Sequence, residues 1–180
     1  MARPVRELWH SLAAVVVVTA VYLAAYRASG TFPTAYGLVG HTIGIIGFVL
    51  MLMTETLYSM RKQMTDARWG NMAAWLRFHI VTGFVGPYMV LLHTSMRFRG
   101  LAGVATLLTL VVVFSGVVGR YIYTALPRVP EPTDARGDGL ARRRKALATW
   151  RSIHVPLTWV LFTTAFVHSV AALYFATFMR

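Results

Sequence analysis

Residues 75–96 read WLRFHIVTGFVGPYMVLLHTSM, and residues 153–178 read IHVPLTWVLFTTAFVHSVAALYFATF. Both runs are apolar and long enough to cross a hydrocarbon core of about 30 Å at about 1.5 Å rise per residue. Each carries two histidines, His79 and His93 in the first and His154 and His168 in the second, and both pairs are fourteen residues apart. At about 100° per residue, fourteen steps bring the second ring back to within about 40° of the first, about 21 Å further along the axis. Each run therefore predicts a membrane helix that presents two imidazoles on one face, one toward each side of the bilayer.

The rest of the chain agrees with a membrane setting. Of its 180 residues, 57% are hydrophobic and 13% charged, against about 25% charged in soluble domains. Three further apolar runs, residues 9–26, 37–60 and 101–126, join 75–96 and 153–178 to predict five spans. The first run is too long, and too poorly followed by a small-residue cleavage site, for a cleaved signal, so it is expected to be a retained helix. Ser29 to Pro33 ends the first span, and Phe98-Arg99-Gly100 forms a tight connection between the third and fourth. Residues 127–150, rich in Pro, Asp, Gly and Arg, predict one long cytoplasmic loop. The expected architecture is a single transmembrane domain over 1–180: an all-α membrane protein with five transmembrane helices, made of a haem-binding four-helix bundle plus one additional helix. With no cysteine in the chain, disulfides, thiolate-held iron–sulfur or zinc sites and covalent c-type haem are excluded.

The net charge of +12 does not point to nucleic acid, because the basic residues cluster at the ends of apolar runs rather than on a soluble domain. One side of the predicted membrane receives fourteen of them: Arg3, Arg6, Arg61, Lys62, Arg68, Arg77, Arg120, Arg128, Arg136, Arg142, Arg143, Arg144, Lys145 and Arg151. The other receives Arg27, Arg97, Arg99 and Arg180. Positive charge is retained on the cytoplasmic side, so the N-terminus is expected inside and the C-terminus outside.

One span separates the third from the fifth, so these two run in the same direction. His79 is then expected level with His154 on the cytoplasmic side, and His93 level with His168 on the outer side. Two facing imidazoles at one depth suit the axial positions of a haem iron, and the arrangement occurs twice. Two bis-histidine b-type haems are therefore the expected cofactors, with His79, His93, His154 and His168 as metal ligands. A non-haem metal is disfavoured because no carboxylate or third histidine is level with either pair. Arg77, Arg120 and Arg151 near the inner pair, and Arg97 with Arg99 near the outer, are candidates for haem propionates. Topology and interfacial anchoring account for them equally well. Small residues let a macrocycle or a neighbouring helix approach closely: Gly37, Gly40, Gly44 and Gly47 in the second span, Gly83 and Gly86 after His79, and Gly100, Gly103, Gly116 and Gly119 around the fourth.

Several stretches together resemble bacterial diheme b-type cytochromes. They are Trp75-Leu76-Arg77-Phe78-His79, Gly83, Gly86-Pro87, Leu92-His93-Thr94, then Ser115-Gly116-Val117-Val118-Gly119-Arg120-Tyr121, and Trp150-Arg151-Ser152-Ile153-His154-Val155-Pro156-Leu157 followed by His168. That family is similar in layout to the membrane domains of ferric reductases and to cytochrome b of quinol-oxidising complexes. The resemblance spans about residues 37–174 and implies transmembrane electron transfer in a bacterial inner membrane. Ferric reductases carry a flavin and nicotinamide domain after the last helix, whereas this sequence stops at Arg180. The expected role is thus an electron-transfer subunit of an oxidoreductase complex, with a quinone pool and a partner redox protein or subunit at its two ends.

Three functional readings stay open. The first is the relay just described. The second is a quinol-oxidising or quinone-reducing subunit with its own site near His41, at about the outer haem's depth, or near Glu55, the carboxylate inside a predicted span. The alternatives for these residues are a hydrogen bond to a neighbouring helix or propionate for His41, and snorkelling towards Arg61 or Lys62 for Glu55. The third is a haem-free proton-coupled transporter or assembly subunit whose histidines carry protons, although no inverted repeat or broken helix pair is evident. His10 is expected to be solvated, Trp9, Trp69, Trp75, Trp150 and Trp159 to belong mostly to interfacial belts, and the methionines to fill the core.

Overall fold

The computed structural model describes residues 6–31, 33–35, 37–64, 70–125 and 137–178. Regular structure among them is entirely helical: α1 (Arg6–Ser29), α2 (Leu38–Gln63), α3 (Met72–His93), α4 (Gly100–Ala125) and α5 (Gly137–Phe178). All five helices are long and apolar enough to span a membrane. Residues 127–136 of the predicted loop, with Arg128 and Arg136, lie outside the described residues, as do Arg3, Arg68, Trp69 and Arg180.

Two boundaries differ from expectation for identifiable reasons. The helix of the third span stops at His93 rather than running to Met96. Thr94 caps it, and Ser95 (φ 48°) and Met96 (φ 59°) turn the backbone left-handed, a conformation incompatible with helix continuation. Residues 137–150, expected as loop, are instead the first turns of α5, a continuous helix of 42 residues and about 63 Å. Ala, Leu, Arg and Lys dominate that segment and are strong helix formers, so charge excluded it from the apolar run without excluding it from the helix.

Burial is inverted relative to a water-soluble protein. Val16, Val21, Phe114, Trp159 and Phe166 are exposed, whereas Thr54, Thr82, Thr106, Thr109 and Thr158 are buried. Each of these threonines has its hydroxyl against the carbonyl four residues earlier in its own helix, at 2.7–2.8 Å. The backbone thus satisfies them, and apolar surface faces outward at no cost where the surroundings are lipid tails.

The chain divides into two compact units, Met1–Phe98 and Arg99–Arg180. In the first, α3 packs against both α2 and α1. The backbones of α2 and α3 meet at glycines: a Cβ on Gly47 would lie 2.8 Å from the Gly86 carbonyl oxygen, and one on Gly86 would lie 2.9 Å from that of Gly47. Beside this contact, Tyr22, Ile43, Val85 and Met89 form a buried apolar cluster, so Met89 and the buried Met51 do fill the core as expected. Met60 and Met96 are exposed and do not. Thr19 of α1 and Tyr88 of α3 share a hydrogen bond of 2.6 Å. The Pro33 carbonyl accepts from both Tyr22 Oη (3.3 Å) and Ser95 Oγ (3.0 Å), which ties the α1–α2 connection to the turn after α3. At the opposite end, Asn71 caps α3 by accepting from the Ala74 N–H (2.8 Å).

The second unit is the α4–α5 pair. Its contacts continue into the basic segment of α5, where an Arg143 guanidinium N–H donates to the Tyr123 carbonyl (3.3 Å) and the cation lies 5.3 Å from the centre of the Tyr123 ring. Pro87 in α3 and Pro156 in α5 sit inside their helices, each removing one N–H from the ladder close to a histidine.

Candidate functional site

In the first unit, His79 and His93 are half-buried on the face of α3 that packs on α2. His79 Nδ1 lies 3.2 Å from the Thr54 carbonyl oxygen, and His93 Nδ1 lies 2.9 Å from that of Gly40. A carbonyl can only accept, so Nδ1 is the donor at both rings, and the neutral form of each has its lone pair on Nε2. This is the form in which protein histidines bind metal, with one ring nitrogen as ligand and the other held by a hydrogen-bond acceptor.

The two acceptors are themselves fourteen residues apart, with Gly47 midway, just as Gly86 is midway between the histidines. Residue numbers in the facing pairs Gly40/His93, Gly47/Gly86 and Thr54/His79 share one total, the mark of an antiparallel register repeating every seven residues. The tightest backbone contact of the helix pair is thus centred between the two imidazoles, and one packing register aims both rings.

Local packing completes each position. Gly44 seats the His93 ring: a Cβ there would lie 2.6 Å from Cγ and 2.7 Å from Nδ1. The His41 ring meets His93 edge-on with centroids 6.1 Å apart, and His41, itself exposed, has Nδ1 3.3 Å from the Ala35 carbonyl oxygen. Tyr58 packs beside His79 at 4.7 Å. Below that ring, the Thr54 hydroxyl donates to the Thr82 hydroxyl (2.7 Å) and Thr82 to the Phe78 carbonyl, linking α2 to α3.

In the second unit, His154 and His168 are half-buried on α5. His154 Nδ1 lies 3.1 Å from Ser115 Oγ of α4. Its ring stacks on Trp150, with centroids 4.8 Å apart and planes 25° apart, and the Trp150 indole N–H donates to the Ser115 carbonyl (2.7 Å). The indole lies directly against Gly119, whose missing side chain leaves room for it. Ser115/His154 and Gly119/Trp150 again share one number total, and the same register puts Leu101 in the first turn of α4 level with His168.

Half of the glycines noted in the sequence therefore receive protein rather than leave a gap. Gly40 is approached by the Thr34 main chain, Gly44 by His93, Gly47 and Gly86 by each other, and Gly119 by Trp150. Trp150, expected in an interfacial belt, is a packing and hydrogen-bonding partner of His154, whereas Trp9 and Trp159 are largely exposed. The Glu55 carboxylate accepts from Ser59 Oγ (3.3 Å), and the Arg61 guanidinium donates to the carbonyls of Met64 (3.0 Å) and Gly70 (2.9 Å). Of the candidate propionate residues, Arg77, Arg97 and Arg151 are exposed and Arg120 is half-buried. Among the described residues, no three His, Cys, Asp or Glu side chains converge as a metal-holding group. Comparison with protein-family models, curated proteins and solved structures finds no match to this chain.

Proposed function

We propose that this chain is a diheme b-type cytochrome of a bacterial inner membrane, with its N-terminus in the cytoplasm, which relays electrons between a quinone pool and a partner redox protein. His79, His93, His154 and His168 are the axial ligands. The pairing of His79 with His154 and of His93 with His168 rests on sequence spacing and helix direction.

The observation that carries the proposal is the state of the rings. At His79 and His93 a main-chain carbonyl fixes the Nδ1–H tautomer that leaves Nε2 as a metal ligand, at both ends of a fourteen-residue interval that α5 repeats. Proton carriage is served less well, because a ring whose Nδ1 proton is held by a carbonyl is restrained from the rotation and tautomer exchange a carrier needs. A bound b-type haem supplies reversible one-electron transfer. The chain's own part is to orient the imidazoles, to exclude water with its apolar helices, and to bias the inner site toward the reduced, less positive state through Arg77, Arg120 and Arg151.

The deciding measurement is a reduced-minus-oxidised spectrum with haem quantitation on purified protein. Two haems per chain are expected, and His93→Ala should remove one haem's signal while leaving the other. A colourless wild-type protein refutes the proposal. A second reading, a quinone site of the chain's own, is favoured at one place, where His41 lies exposed beside His93. On that reading, quinol reduces the purified haems without a soluble partner, and His41→Ala abolishes this reduction without loss of haem.

A further inference from the structure

We infer that Ser115 and Trp150 are positioning residues for His154, holding its ring plane and the proton on its Nδ1, and that Ser115 thereby sets the redox potential of the iron that His154 ligates. The inference rests on the ligation proposed above.

Three contacts meet at one turn of α4. The Ser115 hydroxyl faces His154 Nδ1 at 3.1 Å, and the Ser115 carbonyl accepts the Trp150 indole N–H at 2.7 Å. Trp150 precedes His154 by one turn on α5, so the two rings lie on one face and stack. Gly119, one turn beyond Ser115, lets the nitrogen-bearing edge of the indole approach α4 closely. The imidazole is therefore fixed in plane by the indole and in rotation by the hydroxyl, and the indole is anchored to the residue that supplies the hydroxyl. Thr106 and Thr109 on the same helix turn their hydroxyls back to the carbonyls of Ala102 and Ala105, whereas the Ser115 hydroxyl is aimed across the helix pair.

This acceptor also differs in kind from those of the other tethered rings. His79 and His93 donate to main-chain carbonyls, which no side-chain substitution deletes. The partner of His154 Nδ1 is a hydroxyl, which can donate or accept; ligation of the iron through Nε2 makes it the acceptor, a weaker one than a carbonyl and a deletable one. An Nδ1–H that donates a strong hydrogen bond makes its imidazole a more basic ligand and favours the ferric state. Losing the acceptor should therefore raise the potential of the one haem that His154 serves.

The test compares wild type, Ser115→Ala, Ser115→Thr and Trp150→Phe as purified holoproteins, by potentiometric titration and by EPR of the low-spin ferric centres. Ser115→Ala should keep two haems per chain and move one midpoint upward, changing that haem's oxidised-to-reduced ratio about tenfold at fixed ambient potential, ~59 mV for one electron. The other midpoint should not move, and Ser115→Thr, which keeps the hydroxyl, should restore the wild-type value. Trp150→Phe should shift the EPR signal of the same centre, since the ring plane loses its anchor. If Ser115→Ala sheds one haem, retention by Ser115→Thr supports the inference and loss from both overturns it. Unchanged potentials and signals in Ser115→Ala and Trp150→Phe overturn it with the ligation intact. A wild-type protein without haem overturns the ligation itself and is recognised before any variant is made.

Discussion

Replacing Gly44 with alanine would press a methyl group into the ring of His93. The added Cβ would lie 2.6 Å from Cγ and 2.7 Å from Nδ1, against about 3.5–4 Å for ordinary carbon contact. The ring must therefore withdraw by about 1 Å, or α2 and α3 must part by as much. Withdrawal stretches the 2.9 Å bond to the Gly40 carbonyl beyond hydrogen-bonding range, at a net cost of about 0.5–1.5 kcal/mol, and overpacking adds about 1–3 kcal/mol. Parting the helices opens the Gly47–Gly86 contact, at a similar cost. Helix propensity acts in the opposite sense, since Gly→Ala favours the helix by about 1 kcal/mol. Gly83→Ala supplies the control: its Cβ would meet only Thr54 Cγ2, at 3.7 Å. Thermal unfolding in one detergent should place Gly83→Ala at or above wild type and Gly44→Ala below it. On the proposed ligation, haem quantitation should show Gly44→Ala losing about 10–100-fold in affinity at one of two sites, the usual effect of disturbing a ligand's outer support. Equal stability of the two variants, with both haems retained in Gly44→Ala, would refute the claim that Gly44 seats a ligand.

Three further outcomes are expected. Thr54→Val removes the interhelical hydroxyl bond to Thr82 but keeps the main-chain acceptor of His79, so unfolding should show a loss of about 0.5–1 kcal/mol with unchanged haem content. Gly119→Ala displaces the Trp150 indole and should cost about 1–3 kcal/mol, read as a lowered unfolding midpoint and a changed tryptophan emission. Topology reporters fused after Gly30 and after Met64 should be active outside and inside respectively, and the reverse pattern would overturn the orientation derived from the basic residues.

Hydropathy made the five spans legible, because in lipid a helix must be apolar along its whole length. It could not report where α5 begins, since Arg142 to Lys145 favour helix while opposing insertion. Nor did it show the end of α3: Ser95 and Met96 occupy left-handed backbone conformations that neither residue type announces. At the candidate site, the histidine spacing was visible, but its supports were not. The acceptors of His79 and His93 are main-chain oxygens, which the side chains at positions 54 and 40 do not announce. Ser115 and Trp150 carry a faint signal: Trp150 is one helical turn before His154, and Ser115 lies in a glycine-flanked stretch. The belt rule for tryptophan obscured it. Arg61 donates to the carbonyls of Met64 and Gly70, main-chain partners that its sequence neighbourhood does not announce.

The seven-residue register of α2 and α3 also governs how this chain can change in length. One residue inserted between Gly40 and Gly47 would rotate everything beyond it by about 100°, so that the two imidazoles no longer both keep their carbonyls. A matched gain or loss of seven residues in both helices restores both tethers to within about 20°, and it changes the distance between the rings by about 10 Å. Insertions and deletions that spare both tethers should therefore fall in the connections, because the packing of α2 on α3 constrains the spacing of the two histidines.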